Sequence, residues 1–212
     1  MSETSYIVYD DFYRDPISVR DLALRSSWLD PKISDGREYS RETEKGYYTD
    51  AIVDKLARIV GRRIVFDAKR MGFGVFAFYP ASAAVDVSTH FDDTSWSGIV
   101  YLMPDELNRT NSGLAFYRHR ESGLTGPPDD EQARELGYAD SQTWIQEVYY
   151  RDKLTPEAWQ RTSFVGARFN RLVLLNGARL FHRASDGFGT TAADARLTQR
   201  FFFDIDDTEV DA

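Results

Sequence analysis

The chain has 212 residues, 34 acidic and 26 basic, for a formal net charge of −8, which argues against a nucleic-acid binder relying on broad phosphate neutralisation. Apolar residues make up 42% and aromatic residues 14%, enough to bury one sizeable core and to exclude disorder of the whole chain. Cysteine is absent, so disulfides, thiolate nucleophiles and cysteine-held metals are excluded and any metal must be held by His, Asp or Glu.

Met1 to Asp10 has neither a basic n-region nor an apolar h-region, so no secretory leader is expected. The longest apolar stretches, Phe73 to Tyr79 and Leu172 to Leu175, fall far short of the roughly 20 residues of a membrane helix. The expectation is a soluble, cytoplasmic protein with no nucleic-acid or membrane partner; the sequence assigns no oligomeric state. Length predicts a single domain over 1–212, with helical support over 1–70 and a β core over 71–205 interrupted by an insertion at 121–163.

Ser5 to Tyr9 read as a first strand. Asp15-Pro16 opens an amphipathic helix over about 16–28, with Asp15 as N-cap and Pro16 at N1, and Ile17, Leu22, Leu24 and Trp28 are expected to face the body of the fold. Residues 31–48, dense in charge and carrying Gly36 and Gly46, read as an exposed loop. A packing helix follows at about Asp50 to Val60, where Ile52, Val53, Leu56, Ile59 and Val60 recur at three- and four-residue spacing. From Gly72 onward come short β-like runs at 73–79, 84–91, 97–103, 113–119, 171–175, 179–183 and 196–205, separated by Gly, Pro, Asn and Asp. Such a series points to a sandwich or barrel. The insertion at 121–163 holds Gly126-Pro127-Pro128 and helical pieces around Glu131 to Leu136, Ser141 to Tyr149 and Pro156 to Arg161; its length suits a lid or a partner surface. The acidic tail Asp204 to Asp211 is expected to be solvated.

Three histidines limit what an imidazole site can be. His90 lies in Thr89-His90-Phe91-Asp92-Asp93, where a strand period of two points His90 and Asp92 to one side, within reach of one metal ion. A structural hydrogen-bonded pair is the competing account, and Asp93 competes with Asp92 for the carboxylate role. His182 is expected to close a hairpin of strand, tight turn at Asn176-Gly177, and second strand ending on the histidine. Fourteen residues later, Arg196 and Thr198 project from one strand face, a suitable pair for gripping a carboxylate. His119, between Arg118 and Arg120, has no partner pattern and is expected to be solvated or to stand behind a ligand.

On Thr89 to Asp92, Ser97 to Leu102, Ser112 to Arg118, Leu180 to Ala184 and Arg196 to Phe203, the sequence resembles the 2-oxoglutarate/Fe(II)-dependent dioxygenases, most closely a small bacterial branch with a similar Val-Tyr-Asp-Asp-Phe opening. The resemblance implies a mainly β protein with flanking helices, a double-stranded β-helix of the jelly-roll, cupin-like kind. It implies His90, Asp92 and His182 as iron ligands and catalytic residues. Arg196 and Thr198 would then bind the distal carboxylate of 2-oxoglutarate, with Tyr101 either donating to the co-substrate or serving as a plain core tyrosine. The spacing from His182 to Arg196 exceeds the family's usual nine or ten, which leaves Arg200, on the same face, as a competitor. Fe(II), 2-oxoglutarate and O2 are the implied cofactors and co-substrates. The implied reaction is hydroxylation of an unactivated C–H bond in an amino acid, peptide or other small metabolite, with release of succinate and CO2; Asp92 favours it over halogenation. The alternative is a non-catalytic jelly-roll or cupin-type metal-binding module.

Overall fold

The computed structural model describes residues 6–34, 37–83 and 88–209. Its strands are β1 Tyr6–Tyr9, β2 Ile33–Ser34, β3 Arg37–Glu38, β4 Arg41–Glu42, β5 Arg62–Val65, β6 Val75–Tyr79, β7 Trp96–Tyr101, β8 Gly113–His119, β9 Trp159–Gly166, β10 Leu172–Leu175, β11 His182–Ala184 and β12 Arg196–Glu209. The two longest helices are α1 Pro16–Arg25 and α2 Asp50–Val60. The large sheet runs β1-β10-β7-β12-β6-β4, with β5 on the far part of β12, and the small sheet runs β11-β8-β9. Every pairing is antiparallel, so the protein is mainly β with few helices.

Alternation along β12 sets the layers. Leu197, Phe201 and Phe203 turn to one face, where Phe12, Ala23, Leu56 and Phe76 complete a core under α1 and α2. Arg196, Thr198 and Arg200 turn to the other, toward the small sheet, where Tyr101, Leu114, Phe116, Val173 and Leu175 pack between the sheets. Gln199, on the helix face, is buried yet satisfied: its amide donates to Tyr47 O and Gly74 O at 2.6 and 3.0 Å and its oxygen accepts from Tyr13 Oη at 2.6 Å.

Several expectations need correction. Helix α1 starts as anticipated, Asp15 accepting from the Ser18 N–H at 3.1 Å. It ends at Arg25, however, and Ile17, Leu22 and Leu24 are 56, 38 and 36% exposed. The buried side is instead Val19 with Ala23, one turn apart. Trp28 lies past the helix, bridges Thr43 through the main chain and sets its ring on Phe78 at 4.8 Å. Residues 31–48 are no simple exposed loop: β2 and β3 pair, β4 joins β6, and Ser40 and Thr43 are buried. The region expected as helical support thus supplies β1, β4 and β5 to the large sheet.

Asn176-Gly177 closes no hairpin. After β10 the chain leaves the large sheet through a 3-10 turn at Gly177–Arg179 and enters the small sheet as β11, so His182 begins its strand rather than ending it. Of the run 84–91, residues 84–87 lie outside the described residues, and His90 forms an isolated bridge to His182. Of the acidic tail, Asp204 to Glu209 continue β12 and pair with β5, Asp204 accepting from the Ser95 backbone and hydroxyl at 2.8 Å each; residues 210–212 lie outside the described residues. No helix among the described residues is long and apolar enough to cross a membrane.

The insertion at 121–163 holds a helix at Asp130–Glu135 and a helical run from Ser141 through a π turn at Ile145–Tyr149 to Asp152. At 156–161 there is only a 3-10 turn at Pro156–Ala158 before β9. Ala133, Trp144, Val148, Tyr149 and Trp159 pack with Tyr117 and Phe181, which anchors this segment on the small sheet. Trp144 is 1% exposed, so Trp144→Ala is expected to destabilise the protein by about 3–5 kcal/mol. Urea denaturation measures this, and a loss below about 1 kcal/mol would show that the segment is not anchored there.

Candidate functional site

Two histidines far apart in sequence meet through their main chains. The His90 N–H donates to His182 O at 2.9 Å and the His182 N–H donates to His90 O at 2.8 Å, which puts the two rings 4.4 Å apart, centroid to centroid. Asp92 is brought to them by its own backbone, whose N–H donates to Gly177 O at 2.9 Å. Its carboxylate then stands 3.3 Å from His182 Nε2 and 3.8 Å from His90 Nε2. One ligating atom from each of the three lies within 4.8 Å of the others. Asp92, not Asp93, delivers the carboxylate.

Both rings are oriented from behind. His90 Nδ1 lies 3.1 Å from Ser88 O and His182 Nδ1 lies 2.9 Å from Leu180 O, contacts that hold a proton on Nδ1 and aim each Nε2 at Asp92. Burial and the neighbouring His182 push the His90 imidazole down to about 4. Burial alone would raise Asp92, but the His182 charge and hydrogen bond, then His90 and Ser97, hold its carboxyl well below the usual range. His182, lowered by burial, is carried above its ordinary value by Asp92. The Ser97 hydroxyl donates to Asp92 Oδ2 at 2.5 Å.

These three residues open on a cavity of about 870 Å³, walled by Val75, Ile99, Leu114 and Phe202 among others, and by Arg200. Arg200 donates to Glu42 Oε1 at 2.7 Å and lies 3.4 Å from Tyr79 Oη. Arg196, Thr198 and Tyr101 are not on the cavity surface; they are 1, 1 and 0% exposed, deeper between the sheets. Thr198 pairs across to Tyr101 on β7 and donates to Ala77 O at 3.2 Å. The Arg196 guanidinium carbon sits 3.9 Å from the Tyr79 ring centroid. Arg196 Nε, Arg196 Nη2 and Tyr101 Oη are buried without a hydrogen-bond partner. Burial raises the Tyr101 phenol to about 12 against the opposing pull of Arg196.

His119 is neither solvated nor near this centre. It is 1% exposed, with Nε2 3.0 Å from Asp152 and Nδ1 2.9 Å from Ser122 Oγ. Glu121 stands close enough to complete a second His-Glu-Asp group, but Arg151 already reaches Glu121 and Asp152 at 2.8 and 2.7 Å. Residues missed from the sequence are Gly177, Tyr79 and Glu42. Gly177 is glycine because Asp92 and Ser97 crowd its Cβ position, a long-range contact that the Asn-Gly turn signature does not reveal.

The fold matches that of the non-heme alpha ketoglutarate dependent epimerase SnoN from nogalamycin biosynthesis, with a TM-score of 0.52 and 14% identity over 96% of this chain and 79% of that one. HygX from Streptomyces hygroscopicus, solved with nickel, 2-oxoglutarate and hygromycin B, is also similar (TM-score 0.46, 14% identity, 94% of this chain and 82% of that one). So is a Pseudomonas putida prolyl-4-hydroxylase (TM-score 0.44, 13% identity, 94% and 92%). The likeness is one of fold: the chain has the fold of the Fe(II)/2-oxoglutarate-dependent oxygenases. It belongs to DUF6445, a family of unknown function whose model matches residues 1–203. No curated protein matches the chain.

A methyl group on Gly177 would lie 2.5 Å from both Asp92 Oδ2 and Ser97 Oγ. Gly177→Ala is therefore expected to part that hydrogen bond and to cost about 1–3 kcal/mol, as overpacking does. A crystal structure and a thermal melt check it; an intact Ser97–Asp92 contact with unchanged Tm would contradict it.

Proposed function

We propose that the protein is an Fe(II)- and 2-oxoglutarate-dependent oxygenase that hydroxylates an unactivated C–H bond of a small molecule or peptide. It does so on a double-stranded β-helix formed by one domain. His90, Asp92 and His182 hold the metal; Arg196, Thr198 and Tyr101 hold the co-substrate. The observation that supports this is the convergence of two Nε2 atoms and one carboxylate on the wall of a cavity. That donor set, two imidazoles and one carboxylate, would suit Fe(II).

The unpaired donors deeper in the fold support the co-substrate assignment. A buried donor without a partner costs about 1–3 kcal/mol, and here Arg196 and Tyr101 bring three such groups to adjoining strands. A carboxylate satisfies them with charge-assisted bonds, and the Thr198 hydroxyl joins by rotating away from Ala77 O. A metal site serving structure alone has no use for such a group, which sets the enzyme apart from a non-catalytic jelly-roll or cupin-type module.

Fe(II) with 2-oxoglutarate supplies O2-dependent oxidation of a C–H bond, with succinate and CO2 as co-products. The chain's own residues supply the rest. The Ser88 and Leu180 carbonyls fix the imidazoles, Ser97 fixes the carboxylate, and Val75, Ile99, Leu114 and Phe202 keep water from the reacting centre.

Under anaerobic conditions the wild-type protein with Fe(II) and 2-oxoglutarate is expected to show a weak visible charge-transfer band; its absence in folded protein would overturn the proposal. His182→Ala is expected to lose the band while circular dichroism stays native, because two ligands hold iron poorly. Arg196→Leu is expected to raise the 2-oxoglutarate KM by about 10- to 150-fold, the equivalent of about 1.5–3 kcal/mol, with metal binding little changed. Wild-type KM in that variant would move the co-substrate role elsewhere.

A further inference from the structure

We infer that the primary substrate is a small organic acid and that Arg200 selects it by binding its carboxylate. This rests on the oxygenase function proposed above and names the substrate class of the same cavity. Among the described residues, six cationic side chains line that cavity, Lys32, Lys45, Lys69, Arg70, Lys153 and Arg200. Three carboxylates oppose them, and one of these, Asp92, belongs to the metal centre. The excess is local, since the whole chain carries −8. Lys32, Lys45, Lys69 and Arg70 are exposed and attract anions from solution toward the mouth. Arg200 is the cation on the inner wall, only 9% exposed.

The state of the Arg200 guanidinium fits a ligand still to come. Of its five donors, one makes a strong bond to Glu42 at 2.7 Å and another a long one to Tyr79 Oη at 3.4 Å, while Nε is buried with no partner. A substrate carboxylate can take the Nε edge without displacing Glu42. Glu42, tied also to Ser40 and Lys32 at 3.2 and 3.6 Å, then holds the guanidinium in place.

Position separates this arginine from Arg196. Arg200 stands opposite Ile99, and the next residue on its face, Phe202, stands opposite Ser97, whose hydroxyl holds Asp92. The two guanidiniums meet the same ring, Arg196 3.9 Å from the Tyr79 centroid and Arg200 3.4 Å from the Tyr79 hydroxyl, but Arg200 lines the cavity while Arg196 is 1% exposed and lies behind it. An acid seated on Arg200 therefore shares the cavity with His90, Asp92 and His182, whereas Arg196 serves the deeper end. The cavity of about 870 Å³ is of small-molecule size.

The test uses a panel of L-amino acids and short mono- and dicarboxylic acids beside their methyl esters, added to full-length protein. Two readouts apply: shift of the anaerobic Fe(II)–2-oxoglutarate band, and calorimetric binding to metal-free protein. At least one acid is expected to bind and shift the band while its ester does not. Arg200→Gln is expected to keep the unshifted band and weaken that acid by about 10- to 150-fold, and Arg200→Lys, which keeps charge but not the fork, to fall between. Esters that work as well as acids, a panel with no binder, or an Arg200→Gln protein that instead loses 2-oxoglutarate would overturn the inference alone. A wild-type protein lacking the band would overturn the oxygenase function and this inference with it.

Discussion

The paired main-chain hydrogen bonds between His90 and His182 are the constraint on which the site depends. They tie the segment that precedes β7 to the first residue of β11, and so join the large-sheet part of the chain to the small sheet at the point where the imidazoles must converge. Side-chain forces alone would not hold the half-buried His90 ring and the buried His182 ring 4.4 Å apart, because each loses solvation there. Two reciprocal backbone bonds fix both Cα positions, and one carbonyl behind each ring fixes its rotation. Asp92 then has little freedom: its own N–H is held by Gly177 and its carboxylate by Ser97. The geometry of the three side chains is therefore built into the backbone.

The second organising feature is that β12 presents two chemically opposite faces. One carries Leu197, Phe201 and Phe203 into the helix-covered core. The other carries Arg196, Thr198, Arg200 and Phe202 toward the small sheet. Two arginines spaced by four on one face sit in different surroundings. Arg196 lies under the Tyr79 ring with two donor nitrogens unpaired, and Arg200 is braced by Glu42 from β4. The short strand β4 is thus more than an edge, since it delivers the counter-charge that lets a buried guanidinium face a cavity at tolerable desolvation cost.

Period-two alternation made β12 and the His90–Asp92 pair legible in the sequence, because strand geometry acts over neighbouring residues. The N-cap of α1 was legible for the same reason, Asp15 and Ser18 being three apart. What escaped was set by distant contacts. Asn176-Gly177 carries a turn signature, yet Gly177 is glycine because Asp92 and Ser97 crowd it, two residues far off in sequence. Ile17, Leu22 and Leu24 looked like a core face, but the sheet offers room only for Val19 and Ala23. β5 and β9 contain charged and polar residues on their outer sides and gave no apolar run, and the charge-rich segment 31–48 concealed that Glu42 would meet Arg200. The longer spacing between His182 and Arg196 is absorbed by residues 185–195, where Ser185 bonds to Gly113 and Phe188 and Ala81 bond across Gly189 and Tyr79.

The two walls of the cavity differ in how they are held. One wall, carrying Tyr149, Lys153 and Leu154, grows out of a helical run anchored by Trp144, Val148 and Trp159 in an aromatic core with Phe181. Phe181 immediately precedes His182, so moving that wall would disturb the His90, Asp92 and His182 cluster itself. The opposite wall, with Lys32, Tyr39, Glu42 and Lys45, is made of two-residue strands with few buried apolar contacts. Local opening costs least where backbone bonds are few and apolar burial is small. Opening past the exposed lysines therefore leaves the geometry of the three side chains intact, while opening past the helical run would not. The cavity thus joins a basic wall of short strands to an aromatic wall tied to His182, and the first can give way without loosening the three converging side chains.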